Sequence, residues 1–218
     1  MFESKYSKVL TVILVIVIIA ILGLLGFLGY DWFRKNSLQN DAEKFTSDFV
    51  QEASNDGNNS DNGNATNPID DIEATNSSGN SSGKMPTYKG FNVVGTIEIP
   101  TIKLSYPILE KVSKKSIETS VAMLYGAGIN QVGNTVIIGH NYRNGLFFSN
   151  NKKLNNGDKI YITDNNGNRL TYTIYNKFET TPEDASFYQR DTEGKPEVTL
   201  STCTDDSKAR LIIFAKAE

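Results

Sequence analysis

Residues 85–218 predict a mostly-β domain, closed or nearly closed into a barrel, with a few short helices at its periphery. Three observations lead there. About seven or eight short apolar or alternating runs follow one another with turn-forming residues between them. Two of these runs form a clear hairpin, "DKIYITDNNGNRLTYTIYNKFE", around Asn165-Asn166-Gly167-Asn168. Only one stretch, Ser113–Leu124, has the spacing of a helix.

Taken in order, "FNVVGTIEIPTIKLSYPILE" places Ile97, Ile99, Ile102 and Leu104 in an extended run. Pro100 and Pro107 interrupt it, which implies an edge or a bend. "SKKSIETSVAML" is the helix candidate, with Ser113 or Ser116 suited to cap it. "NTVIIGH" (Asn134–His140) is a short buried strand that ends in Gly-His. The hairpin follows, then "EVTLSTC" and "RLIIFAKA" as two further strands.

The N-terminal part reads differently. Residues 1–8 are a short tail, and residues 9–30 carry no charge. At 1.5 Å per residue that run is roughly 33 Å long, enough to span a bilayer. A signal peptide would have a shorter apolar core, of about 7–15 residues, and small residues at a cleavage site. The length of the run, with Trp32 suited to the headgroup zone, favours an uncleaved single-pass anchor. Lys5 and Lys8 precede the span and Arg34 and Lys35 follow it, so charge alone does not orient it. Residues 31–53 have Leu38, Ala42, Phe45 and Phe49 at helical spacing and are expected as a juxtamembrane helix. Residues 54–84 are rich in Asn, Ser, Gly and Asp and have no aromatic residue, which predicts a disordered linker. The anchor and linker lead us to expect a chain in the plasma membrane with its N-terminus cytoplasmic and residues 85–218 as an extracellular β-barrel domain.

Composition excludes several functions. A net charge of −3 argues against nucleic acid as a partner. A single cysteine makes neither an intramolecular disulfide nor a zinc site of the CxxC kind. No metal cluster with ligand spacing and no phosphate-binding loop is legible, so neither a metal nor a cofactor is expected.

The residues able to do chemistry stand at strand ends. Cys203 ends one strand, His140 ends another and is the one histidine in the chain, and Arg210 opens the strand after Cys203. An imidazole can pair with a thiolate or protonate a leaving amine, and a guanidinium favours an oxyanion. Spacing alone does not lift these residues above ordinary roles: a buried inert thiol, a packed histidine, a solvated arginine.

The strings around them are more specific. "TLSTC" followed by Arg210, with "IIGHN" upstream and the Gly-x-Ile-x-Ile-Pro pattern of "GTIEIPTIKLSYPIL", resembles the sortases, membrane-anchored cysteine transpeptidases of Gram-positive surfaces. The resemblance covers essentially the whole chain: anchor, linker and domain. It implies a closed eight-stranded β-barrel with Cys203 as nucleophile, His140 as general acid/base and Arg210 as ligand of the substrate carbonyl or oxyanion. Thr202 would shape the site, and the backbone N–H of Thr204 would be an oxyanion donor. The partners implied are a surface protein bearing an LPxTG-like or NPxTx-like sorting signal and an amine from a peptidoglycan precursor or a pilin lysine. The spelling "TLSTC" suggests a class B-like enzyme. The 17 residues of "ETTPEDASFYQRDTEGK" are short for the helical insertion usual there, so a class D-like enzyme stays open. In that connection Phe187 and Tyr188 form either a groove wall or part of a plain surface loop. Asp205 and Asp206 either orient His140 or Arg210 or close a solvated turn. Two rival functions remain: a surface cysteine endopeptidase, and a non-catalytic tethered β-domain with an inert thiol.

Overall fold

One helix, α1, runs from Lys5 to Asp56. It belongs to a computed structural model that describes residues 5–56 and 85–218; of the linker expected at 54–84, residues 54–56 are instead the end of α1, and residues 57–84, like the first four residues, lie outside the described residues. The anchor and the juxtamembrane helix, expected as neighbouring segments, are continuous in α1. Its most apolar stretch has a mean hydropathy of 3.2 with none of it buried, so by length and composition it can cross a bilayer.

The chain divides into two compact units, Met1–Asp41 and Ala42–Glu218. Within the second, the last turns of α1 are packed. Ala42, Thr46 and Phe49 share one helical face and are buried. The Phe45 ring lies 5.1 Å from that of Tyr88. The folded unit therefore starts at Ala42, well ahead of residue 85.

Nine strands follow: β1 (Thr87–Tyr88), β2 (Phe91–Ile99), β3 (Leu104–Leu109), then after helix α2 (Lys114–Thr119) β4 (Val121–Tyr125), β5 (Gly133–Ile138), β6 (Lys159–Asp164), β7 (Arg169–Thr180), β8 (Pro196–Cys203) and β9 (Arg210–Ala217). Their order in the sheet is β1-β2-β3-β4-β5-β8-β9-β7-β6, and β6 pairs back onto β2. Strands β2–β9 thus close an eight-stranded barrel, with β1 as a flank. Closure leaves the barrel strands no open edge. Two neighbouring pairs are parallel, β3 with β4 and β5 with β8. Ile97, Ile108, Ile137, Leu200 and Ile213 are fully buried in the core.

Local chemistry explains most boundaries. Pro100 opens a single 3-10 turn, Pro100–Ile102, that bends the chain from β2 into β3. The β6–β7 hairpin is closed by Asp164, whose carboxylate accepts from the backbone N–H of Asn166 and of Asn168. Gly167 there takes φ 81, a conformation that glycine adopts without strain.

One expected element is shorter than the sequence suggested. Ser113 caps α2 in a reciprocal capping box with Ser116. The helix ends at Thr119, and Val121–Tyr125 is strand rather than helix. Ser120 breaks the two apart: it is extended, and its hydroxyl donates to the Pro107 carbonyl at 2.6 Å. A short apolar run fits either element, and pairing with β3 and β5 decides for strand.

The docking of α1 is open to test. Phe49→Ala should speed amide hydrogen exchange across residues 42–52 and leave exchange in β5, β8 and β9 unchanged; equal acceleration in the barrel strands would contradict separate docking.

Candidate active site

β8 is buried from Glu197 to Thr202 and emerges at Cys203. Antiparallel pairing puts the Cα of Arg210, the first residue of β9, opposite that of Cys203. The guanidinium follows: Arg210 Nη1 donates to Cys203 Sγ at 3.3 Å and to the Ala209 carbonyl at 3.5 Å. Among the described residues no carboxylate forms an ion pair with it. Arginine has five N–H donors, so donors remain for an incoming oxygen.

His140 arrives on the other neighbour of β8. The parallel ladder sets Ile138 opposite Ser201. Past that rung the Gly139 N–H donates to the Ser201 carbonyl at 3.3 Å, and Thr202 Oγ1 donates to the Gly139 carbonyl at 2.7 Å. His140, two residues past the end of β5, and Cys203, the last residue of β8, each lie two residues beyond the same rung. Thr202, expected to shape the site, is buried and ties β8 to β5 there. The His140 ring is half-buried and stacks on Tyr142, with centroids 4.7 Å apart and planes 27° apart. Burial holds the imidazole below its ordinary value of 6.5, while the Glu118 carboxylate on α2 pulls the other way.

Gly139 is required by packing. A Cβ there would lie 2.9 Å from Phe148 Cδ2 and 2.9 Å from Val121 Cγ1. Both neighbours are fully buried and cannot move aside. The Gly of "Gly-His" thus lets the chain run close to the core just before the histidine.

Asn141 is a residue of the candidate site that the reading of the sequence did not single out. Its amide Nδ2 donates to the Cys203 carbonyl at 3.0 Å and to Asp205 Oδ1 at 2.9 Å. Lys152 pairs with the other Asp205 oxygen, and Arg143 Nη2 donates to Ser207 Oγ at 3.1 Å. The loop after His140 is thereby stitched to the turn after Cys203. The one sequence signal was its place in "IIGHN".

One expectation is corrected and two open alternatives are decided. The Thr204 backbone N–H, expected as an oxyanion donor, donates to the Ala209 carbonyl at 3.0 Å and closes the β8–β9 turn. A donor committed to the turn is not free for an oxyanion. Asp205 is held below the usual carboxylate range by Lys152 and Asn141, and Asp206 by Thr204 and the Lys208 N–H. Neither orients His140 or Arg210; both brace the turn. Phe187 is no groove wall: it is buried with Val136 and Ile212. Its loop is fastened by Asn134, which donates to the Phe187 and Tyr188 carbonyls at 3.1 and 2.9 Å. Arg190 fastens it again: Nε donates to Glu197 at 2.8 Å, and the guanidinium lies 3.9 Å from the Phe214 ring centroid.

Cys203 opens into a cavity of about 320 Å³ that Asn141, Phe148, Glu179 and Leu211 also line, with the 204–206 turn at its rim. His140 does not line this cavity. Cys203 and Arg210 are in contact, and His140 follows the end of the neighbouring strand.

Two measurements bear on this geometry. Gly139→Ala should cost about 1–3 kcal/mol in urea unfolding, the usual penalty for overpacking; an unchanged midpoint would mean the core yields there. His140 should titrate below 6.5 by NMR. Its neutral form then stabilises the fold above the unfolded value, and that contribution is lost as pH falls through the folded one. The stability advantage of wild type over His140→Gln should accordingly shrink below about pH 6.5.

The comparisons agree with the fold. The sequence profile described as the sortase domain matches residues 97–218. Sortase A of Bacillus anthracis is 32% identical over 124 residues, covering 56% of this chain and 58% of that protein. Sortase A of Streptococcus agalactiae serotype III is 31% identical over 139 residues, covering 58% of this chain and 53% of that protein. The chain thus spans little more than half the length of these relatives. Among solved structures, sortase A from Corynebacterium diphtheriae superposes with a TM-score of 0.54 at 30% identity, over 59% of this chain and 61% of that one. Sortase C-1 from Actinomyces oris superposes with a TM-score of 0.53 at 26% identity, over 58% of this chain and 75% of that one. These relatives carry the letters A and C and lend no support to a B- or D-like assignment. A barrel of this topology, with the profile matched over more than half the chain, establishes that the protein belongs to the sortase family.

Proposed function

We propose that the protein is a transpeptidase that uses Cys203 to cleave a C-terminal sorting signal, LPxTG-like or NPxTx-like, and passes the acyl group to an amine. The observation that carries this reading is the contact between Cys203 Sγ and the Arg210 guanidinium, which has no carboxylate partner among the described residues, at a partly exposed strand end. An inert structural thiol needs neither the exposure nor the cation.

The chemistry balances as two acyl transfers. Cys203 Sγ forms a bond to the scissile carbonyl carbon, the C–N bond breaks, and the thiol proton passes through His140 to the leaving amine. An amine of the cell wall or of a pilin then attacks the thioester and gives a proton to His140. A new amide forms and the Cys203 thiol is restored. An imidazole held below its ordinary value is neutral at pH 7 and ready to accept the first proton. Arg210 faces the charge that develops on the carbonyl oxygen. The apolar part of α1 anchors the enzyme in the plasma membrane, with the barrel on the outer side where the wall amines lie.

Turnover of sorting-signal peptides by the full-length protein tests this. Cys203→Ala should abolish cleavage, and retained cleavage in that variant would end the proposal. His140→Ala and Arg210→Ala should each lower kcat/KM by roughly 100-fold or more, because both groups act as charge moves in the transition state. Adding a Gly-rich peptide amine should divert product from acid to amide; hydrolysis alone under those conditions would make the enzyme an endopeptidase.

A further inference from the structure

Tyr142 directly follows the loop residue that clamps Cys203, and it is 43% exposed, unusual for an aromatic ring packed on a candidate catalytic base. Its position is over-determined. The Tyr142 N–H donates to Ser149 Oγ at 3.1 Å. Its ring leans on Phe147 at 5.8 Å, and Phe147 in turn leans on Tyr106 at 5.2 Å. The Phe147 N–H donates to the Tyr106 hydroxyl at 3.3 Å. A β-bridge between Asn141 and Phe147 pins the loop at its base.

The loop also holds backbone strain. Arg143 and Phe147 take φ of 59 and 49, left-handed values that bulky residues avoid. Such conformations persist where surrounding contacts enforce them, and they gather at functional sites. Here the contacts they serve are the Tyr106–Phe147–Tyr142 row of rings, which ends against His140.

We propose that Tyr142 is a positioning residue for the reaction: its ring is a fixed shelf against one face of the His140 imidazole and holds that ring in a single orientation. The face of a tyrosine ring also favours the imidazolium that forms while a proton is in transit. The hydroxyl plays no part, because the stack is made by the ring. Glu118 is the charged group that acts on the same imidazole from α2.

The inference rests on His140 as the acid–base partner of Cys203, and the test separates the two. His140 is the one histidine of the chain, so a histidine-labelled full-length protein in detergent micelles gives one set of imidazole resonances. Tyr142→Ala should remove the ring-current shift of those resonances and slow iodoacetamide alkylation of Cys203 by about tenfold, since small displacements of a reacting group cost that much or more. Tyr142→Phe should keep both within about twofold, and thermal unfolding should be unchanged in either variant. Imidazole resonances unmoved in Tyr142→Ala would overturn the stacking itself. Alkylation unchanged in Tyr142→Ala but slowed in His140→Ala would overturn the positioning role. Alkylation unchanged in His140→Ala would overturn the inference by removing the pairing of His140 with Cys203, and so would identify the earlier reading as the one at fault.

Discussion

The parallel pairing of β5 with β8 is the constraint on which the site depends. It runs from Gly133 opposite Pro196 to Ile138 opposite Ser201 without a shift. Residues 134–137 of β5 and 197–201 of β8 are buried. A slip of one residue would exchange the faces of one strand and drive a polar set into the core. Burial thus enforces the register, and His140 and Cys203 each lie two residues beyond its last rung. The geometry of the candidate site follows from core packing, with the loops adding the last adjustments.

Those adjustments are polar and lie at the rim. Asn141, Asp205, Lys152, Arg143 and Ser207 bind the His140 loop to the β8–β9 turn through side chains that are at least partly exposed. Exposed ion pairs contribute little stability, so these contacts define shape more than they hold the fold. The opposite holds behind the site. Arg190 and Glu197 keep only 16% and 10% of their side chains exposed, and Tyr175 also donates to Glu197. Removing one partner of such a pair strands a buried charge. The loop of residues 181–195 is therefore fixed from beneath, with Phe187 as its apolar peg.

Much of this was legible in the amino-acid order because the signals were local. The β6–β7 hairpin, β8 and β9 follow from period-two alternation and from turn residues at the right offsets. Cys203 and His140 stood out because each is the one residue of its type in the chain. What stayed hidden depended on distant partners. Val121–Leu124 reads as helix until β3 and β5 are beside it. Nothing near Thr204 shows that its N–H meets the Ala209 carbonyl, and nothing near Asn141 names a partner 64 residues away in Asp205. Phe187 lies in a polar connection whose composition suggests surface, while its burial comes from Val136 and Ile212, on strands remote in the chain. Strain at Phe147 has no signature in sequence, since nothing in the type of residue announces a left-handed backbone.

The pairing of Cys203 directly across from Arg210 has a consequence for how such a site can change over generations. Sheet spacing holds their Cα atoms opposite each other. Residues 205–208 form the exposed part of the bend that joins the strands. A change of the exposed Lys208 side chain would leave the pairing of Cys203 with Arg210 where it is, because that rung is made by backbone. New contacts to new partners can be tried out at that position with the Cys203–Arg210 rung left intact.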